Sequence, residues 1–69
     1  MNVIKIRTEY ITLGQMLKIG ECIDSGGQAK LFLANYAITV NGESEQRRGR
    51  KLYPGDVVVV TGFGSFQID

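Results

Sequence analysis

The most concentrated chemistry in the sequence is a run of cationic side chains at residues 47–51. The run has three arginines and one lysine, interrupted by a single glycine, and contains no acidic residue. Its cations are Arg47, Arg48, Arg50 and Lys51. A guanidinium group presents a planar fork of donors that matches a phosphate. A solvated polar face is the alternative, but an anionic partner best relieves the repulsion among four neighbouring cations. The pattern therefore favours a polyanion-binding site.

The distribution of charge supports this interpretation better than the total charge does. The net charge is only +1. Residues 1–46 carry four basic and five acidic side chains, and residues 54–69 carry two acidic and no basic ones. The excess positive charge is therefore concentrated in residues 47–51, and such a local patch sets the field at a binding surface.

Catalytic chemistry finds little support in the sequence. It has no histidine and one cysteine, Cys22, so a nucleophile would lack its usual base and a metal site its usual ligands. We therefore expect no enzyme activity, no metal, no cofactor and no small-molecule substrate. Lys5 and Arg7 interrupt the only apolar stretch near the amino terminus, so we expect no membrane partner. The single cysteine and the lack of histidine fit a reducing compartment, so we expect a cytoplasmic location.

Two short helices are predicted to position part of this chemistry. The chain has 69 residues, 43% of them hydrophobic, which fits a single domain over residues 1–69. Thr12 and Gln15 show the spacing of a capping box at the start of a helix over residues 12–22. Ser25 and Gln28 repeat that spacing before a second helix over residues 26–35.

The turn between these helices contains two poor helix formers, Gly26 and Gly27. One reason for such a pair is close helix packing or the geometry of the turn. The other is that glycines leave backbone N–H groups open to an anion such as phosphate. The sequence leaves both explanations open.

The rest of the chain is predicted to form strands and turns. The predicted strands cover residues 3–7, 37–40, 43–46, 57–61 and 65–68. Asn41-Gly42 is a two-residue hairpin signal, and the run at 57–61 is apolar on both faces and hence central. Phe32 and Tyr36 stand at helical spacing and are predicted to lie in the core.

The order of these pieces resembles a known RNA-binding family. Ser25-Gly-Gly-Gln-Ala-Lys30 is followed by Ile38-Thr-Val-Asn-Gly42, then by the cationic run, then by Pro54-Gly-Asp-Val57. Over about residues 8–60 this resembles the domain of ribosomal protein S4 with its alpha-L motif, above all its small standalone bacterial form (YaaA-like and YbcJ-like). The resemblance implies an α+β fold, with two short helices packed on a small, mainly antiparallel sheet of four to five strands. It also implies binding of structured RNA, either rRNA or tRNA, with ribosomal particles among the partners.

The resemblance also implies where the RNA lies. Lys18, Gln28 and Lys30 would occupy the helical part of the surface, and the cations of residues 47–51 would occupy the strand part. Many members of the family have a basic residue where this chain has Gly26-Gly27, so any phosphate contact there would depend on backbone amides. Tyr53 would either stack on a base or pack within its turn.

A protein of a different class remains the alternative to an RNA-binding module. Without the resemblance, the same elements fit a protein-interaction adaptor with a β-grasp-like sheet. Release of the protein from large complexes by nuclease treatment would favour RNA, and retention would favour protein contacts.

Overall fold

Helix α1 begins where the capping pattern predicts. In the computed structural model, which describes all 69 residues, α1 spans Leu13–Ile19 and Thr12 is its N-cap. The Thr12 hydroxyl accepts a hydrogen bond from the Gln15 amide at 3.2 Å, and the Gln15 side chain accepts one from the Thr12 amide at 2.8 Å. The capping box is therefore confirmed. The helix is shorter than predicted because Gly20 ends it and Glu21 adopts a φ of 62°, outside the helical region.

The second helical segment has two parts. Gly26–Gln28 forms one 3₁₀ turn, and α2 spans Ala29–Asn35. The side-chain oxygen of Gln28 accepts hydrogen bonds from the amides of Asp24 at 2.7 Å and Ser25 at 3.2 Å. The bond to Ser25 is the one that the capping pattern predicts, and Gln28 thereby closes the turn that starts the segment.

Seven strands complete the fold. They are β1 Asn2–Ile4, β2 Ile11–Thr12, β3 Ile38–Val40, β4 Glu43–Ser44, β5 Lys51–Leu52, β6 Val57–Val60 and β7 Gly64–Ile68. Five of them form the main sheet in the order β1-β7-β6-β3-β4, in which only β1 and β7 are parallel. β2 and β5 form a separate antiparallel ladder that was not predicted. The expected α+β class, with two helices and a mainly antiparallel sheet, is confirmed.

The strand predictions were correct in place, but two of them extended more than one residue too far. β1 ends at Ile4 and not at residue 7, and the returning strand of the hairpin has only two residues. β6 is central, as predicted, yet its outer face is open, because Val58 and Val60 are buried and Val59 is exposed. The helices therefore cover one side of the sheet only.

The core consists of 16 buried apolar residues contributed by both helices and both sheets. Phe32 is among them, as predicted, but Tyr36 is not. Tyr36 is 43% exposed and stacks on Phe32 with ring centroids 4.3 Å apart. Tyr36 keeps the helical spacing to Phe32, but it lies one residue past the end of α2 and beside the exposed Phe63, with ring centroids 5.5 Å apart. It therefore covers the edge of the core and is not buried in it.

Candidate nucleic-acid interface

The cationic run forms a turn that is fixed to the N-terminal end of α1. We call residues 47–51 the basic turn. The carbonyls of Arg48 and Arg50 accept hydrogen bonds from the amides of Gly14 at 2.9 Å and Leu13 at 2.8 Å. Amides in the first turn of a helix have no partner within the helix itself. These two bonds therefore satisfy the helix end and hold the basic turn against it.

Gly14 is the point at which the basic turn meets both helices. A Cβ atom at this position would lie 3.5 Å from the Cβ of Arg48 and 3.7 Å from the Cβ of Ala29, the first residue of α2. Lys30 is the next residue of α2, and Lys18 follows Gly14 by about one helical turn, roughly 6 Å along the axis. The backbone thus brings together the three segments that carry the candidate cations.

A buried carboxylate that was not among the predicted site residues organises the basic turn. The Glu45 side chain is only 7% exposed. It accepts hydrogen bonds from the amides of Gln46 at 3.1 Å and Arg47 at 3.0 Å. It also accepts two from the Arg47 guanidinium, at 2.9 and 3.0 Å, and one from Arg50 at 2.8 Å. The Arg47 guanidinium, followed by that of Arg50 and the Arg47 amide, holds the pKa of Glu45 far below its usual range.

Glu45 divides the four cations of the basic turn into two kinds. Arg47 and Arg50 share its negative charge, whereas Arg48 and Lys51 form no ion pair. The carboxylate of Glu45 therefore relieves part of the repulsion among the four cations. Glu45 lies two residues before the cationic run, and this proximity in sequence was the only sign that it could pair with the arginines. Its burial beneath the turn depends on the fold. Arg47 remains 74% exposed and keeps unused donors on its guanidinium.

The ladder of β2 and β5 carries two tyrosines next to the basic turn. Ile11 pairs with Leu52 and both are buried, so the adjacent residues Tyr10 and Tyr53 point outward. Their ring centroids are 5.7 Å apart. The ammonium of Lys51 lies 4.9 Å from the centre of the Tyr10 ring, a cation–π contact. Tyr53 thus packs against another exposed ring and not into the core.

The turn between the helices corrects one expectation. Gly26 and Gly27 are exposed, and neither has a positive φ. A Cβ atom at Gly26 would meet nothing within 4 Å, and one at Gly27 would meet only the Ser25 hydroxyl at 3.9 Å. Close packing therefore does not explain these glycines, so that part of the prediction was wrong, and no positive φ requires them in the turn. A phosphate contact through their amides stays a prediction. Gln28 is exposed, but its side-chain oxygen is already engaged in closing the turn.

The groups available on this surface are cations, N–H donors and aromatic rings. Lys18, Lys30, Arg48 and Lys51 are all exposed. No cluster of three or more potential ligands from histidine, cysteine, aspartate and glutamate is in position to hold a metal ion. None of the helices has the length and apolar character needed to span a bilayer. Cations and donors bind nucleic-acid phosphates, and aromatic rings stack on unpaired bases.

The fold and this surface define a small α+β domain of the RNA-binding class. Residues 4–69 match the S4 domain, which is nearly the whole chain. The chain is also 60% identical over 67 residues to the "Probable ribosome maturation protein RlbA" of Bacillus subtilis, a match that covers 97% of this chain and 94% of that protein. No solved structure matches the present chain. The chain therefore belongs to the S4 domain family, and the resemblance seen in the sequence is confirmed.

Proposed function

We propose that this protein binds structured ribosomal RNA on maturing ribosomal particles in the cytoplasm and catalyses no reaction. The binding surface consists of the basic turn and the adjoining parts of α1 and α2. Its contacting side chains are Lys18, Gln28, Lys30, Arg47, Arg48, Arg50 and Lys51. Gln28 would contribute its NH₂ group, because its oxygen closes the turn before α2.

The observation that carries this proposal is the attachment of the basic turn to α1. Two main-chain hydrogen bonds at 2.8 and 2.9 Å hold it there, and Glu45 holds it from inside. A loop that is ordered before binding loses less conformational entropy when its ligand arrives. The backbone that carries these cations is therefore held in place before binding, which suits recognition of a phosphate backbone by its shape.

The choice of ribosomal RNA rests on two further arguments. Double-stranded RNA has a deep, narrow major groove that side chains cannot read, so proteins recognise it mostly through shape, phosphates and 2′-hydroxyls. Arginines and lysines on a rigid scaffold suit that kind of recognition. The similar protein of Bacillus subtilis is named for ribosome maturation, which supports rRNA over tRNA as the partner.

The sharpest binding test replaces Arg48 with glutamate. Arg48 is exposed and forms no ion pair, so its side chain can be changed without leaving Glu45 unpaired. We expect Arg48→Glu to weaken binding to an RNA stem-loop, measured by fluorescence anisotropy over a range of salt concentrations. The slope of log affinity against log salt should become shallower by about 0.7–0.9 for each phosphate that the variant no longer neutralises.

Lys5→Glu is the matched control, because it makes the same charge reversal elsewhere. Lys5 lines a shallow cleft with Gly20 and Glu21, beyond the C-terminal end of α1. Its substitution should leave the salt slope unchanged. If the two variants lose affinity equally, the attraction comes from total charge, and the assigned surface is wrong.

Sedimentation of cell lysates tests the partner directly. The tagged protein should sediment with ribosomal particles and be released when their RNA is digested by nuclease. A protein-docking adaptor would instead stay with its complex after digestion, and that result would contradict the proposed function.

A further inference from the structure

The outward face of the β2–β5 ladder combines two aromatic rings with a cation. Thr12 pairs with Lys51 across the ladder. Tyr10 and Tyr53 lie opposite each other on the same face, one position beyond the Ile11–Leu52 pair. The two tyrosines are 37% and 42% exposed. Burial in the core therefore does not fully account for either ring, and each leaves part of its surface open to solvent.

The two rings differ in what already covers them. The Lys51 ammonium occupies a position over Tyr10, 4.9 Å from the ring centre, while no cation lies over Tyr53. The rings are tilted by 47° to each other and are not stacked face to face. Tyr53 is therefore the ring that can accept a further flat group. Every nucleobase offers a π-face for such stacking, so the interaction tolerates different bases.

A groove adjoins Tyr10 on the surface of α1. It is lined by residues 8–12 and by Gln15, Lys18 and Ile19 of the helix. Glu9 lines it as well, so the cation at Lys18 and the carboxylate at Glu9 define the charge along its walls. A single nucleotide strand that passes over the tyrosines would thus find a donor and a cation along its path.

We propose that Tyr53, supported by Tyr10, is a stacking site for one unpaired nucleobase, with the adjoining phosphate bound by Lys51. This inference rests on the proposed function and deepens it, because the RNA recognised would be a helix next to an unpaired nucleotide. The basic turn would hold the helical part, and the tyrosines would hold the base that leaves the helix. Lys51 connects the two parts, since it belongs to both the basic turn and β5.

The test compares two RNA probes and two variants. The probes are a blunt-ended RNA duplex and the same duplex with a single-stranded extension. Tyr53→Leu removes the ring and keeps an apolar side chain, whereas Tyr53→Phe keeps the ring. We expect Tyr53→Leu to lose about 5- to 150-fold in affinity for the extended RNA, the effect of removing one base–aromatic stack. Binding of the blunt duplex and the salt slope should not change, and Tyr53→Phe should bind both probes as the parent does.

Tyrosine fluorescence gives a readout that a structural role of Tyr53 would not affect. The chain has three tyrosines and no tryptophan, so a Tyr36→Phe background leaves only the two ladder tyrosines to emit. The extended RNA should quench this emission and the blunt duplex should not. The stacking site is refuted if Tyr53→Leu binds the extended RNA as the parent does, or if it loses affinity equally for both probes. If the parent binds neither probe, the proposed function fails instead.

Discussion

Replacing Glu45 with glutamine tests how the basic turn is held together. The carboxylate accepts five hydrogen bonds while its side chain is 7% exposed. Glutamine keeps one oxygen but replaces the other with an NH₂ group. The guanidinium N–H groups of Arg47 and Arg50 that donate to the replaced oxygen would lose their acceptor. Removing one member of a buried ion pair costs about 3–5 kcal/mol, and solvent screening around the exposed Arg47 lowers this. We therefore expect the free energy of unfolding to fall by about 2–4 kcal/mol.

The effect should depend on pH in a defined direction. The pKa of Glu45 is lowered in the folded protein from the value of 4.5 expected for the unfolded chain. Its carboxylate therefore stabilises the fold fully above about pH 4.5, and this stabilisation is lost as the pH falls toward the folded pKa. Glutamine does not titrate. The difference in stability between parent and Glu45→Gln should thus be constant near neutral pH and shrink by about 1.4 kcal/mol per pH unit in the acid range.

Urea unfolding followed by far-ultraviolet circular dichroism measures both effects. The matched control is Glu43→Gln, which removes an exposed carboxylate that forms no ion pair, and its stability at neutral pH should match that of the parent. Because the comparison is between variants, the titration of all other carboxylates cancels. A Glu45→Gln protein as stable as the parent at neutral pH, or a difference that does not shrink in acid, would refute this account of the turn.

The remaining predictions concern the packing of α1 and the hairpin. Gly20→Ala should lower the free energy of unfolding by about 1–3 kcal/mol, because the new Cβ would lie 2.8 Å from a ring carbon of the buried Phe66. The new Cβ of Gly14→Ala would meet nothing closer than 3.4 Å, so this change should be neutral or stabilising by up to about 1 kcal/mol. Equal melting temperatures for the two glycine variants would contradict the packing argument. Asn41→Ala should cost about 1–3 kcal/mol, since the Asn41 side chain bonds Asp56 at 3.0 Å and the Val57 amide at 2.9 Å. Asn41→Gly can adopt the observed φ of 52° at no steric cost, so it isolates the effect of the two hydrogen bonds. If these bonds stabilise the hairpin, its melting temperature in thermal unfolding should also fall.

The features that the sequence predicted well are those set by neighbours along the chain. The capping box of α1 depends on Thr12 and Gln15, three residues apart, and both of its bonds are present. The hairpin at Asn41-Gly42 is similar, since both residues adopt the positive φ that such a turn requires. In each case the residues that decide the structure are close in sequence, so a local sequence pattern is enough to predict it.

The features that the sequence did not predict depend on contacts between distant segments. The β2–β5 ladder pairs Ile11 with Leu52, and each strand has only two residues, too few for a periodic pattern. The burial of Glu45 follows from the position of the basic turn on α1, which no local pattern encodes. Tyr36 shows the opposite error, because a periodic pattern was extended one residue past the end of α2.

The hydrogen bonds at the start of α1 also decide which groups are left for an anion. The N-terminus of a helix commonly binds phosphate through its free amides. Here the amides of Leu13 and Gly14 already donate to the carbonyls of the basic turn, and the Gln15 amide donates to Thr12. A phosphate bound at this end of the molecule would therefore need side-chain donors. The backbone of the basic turn thus completes the helix, while the exposed side chains of Arg48 and Lys51 form no ion pair. Substitution at Arg48 should accordingly change binding and leave stability intact, whereas substitution at Glu45 should change stability first.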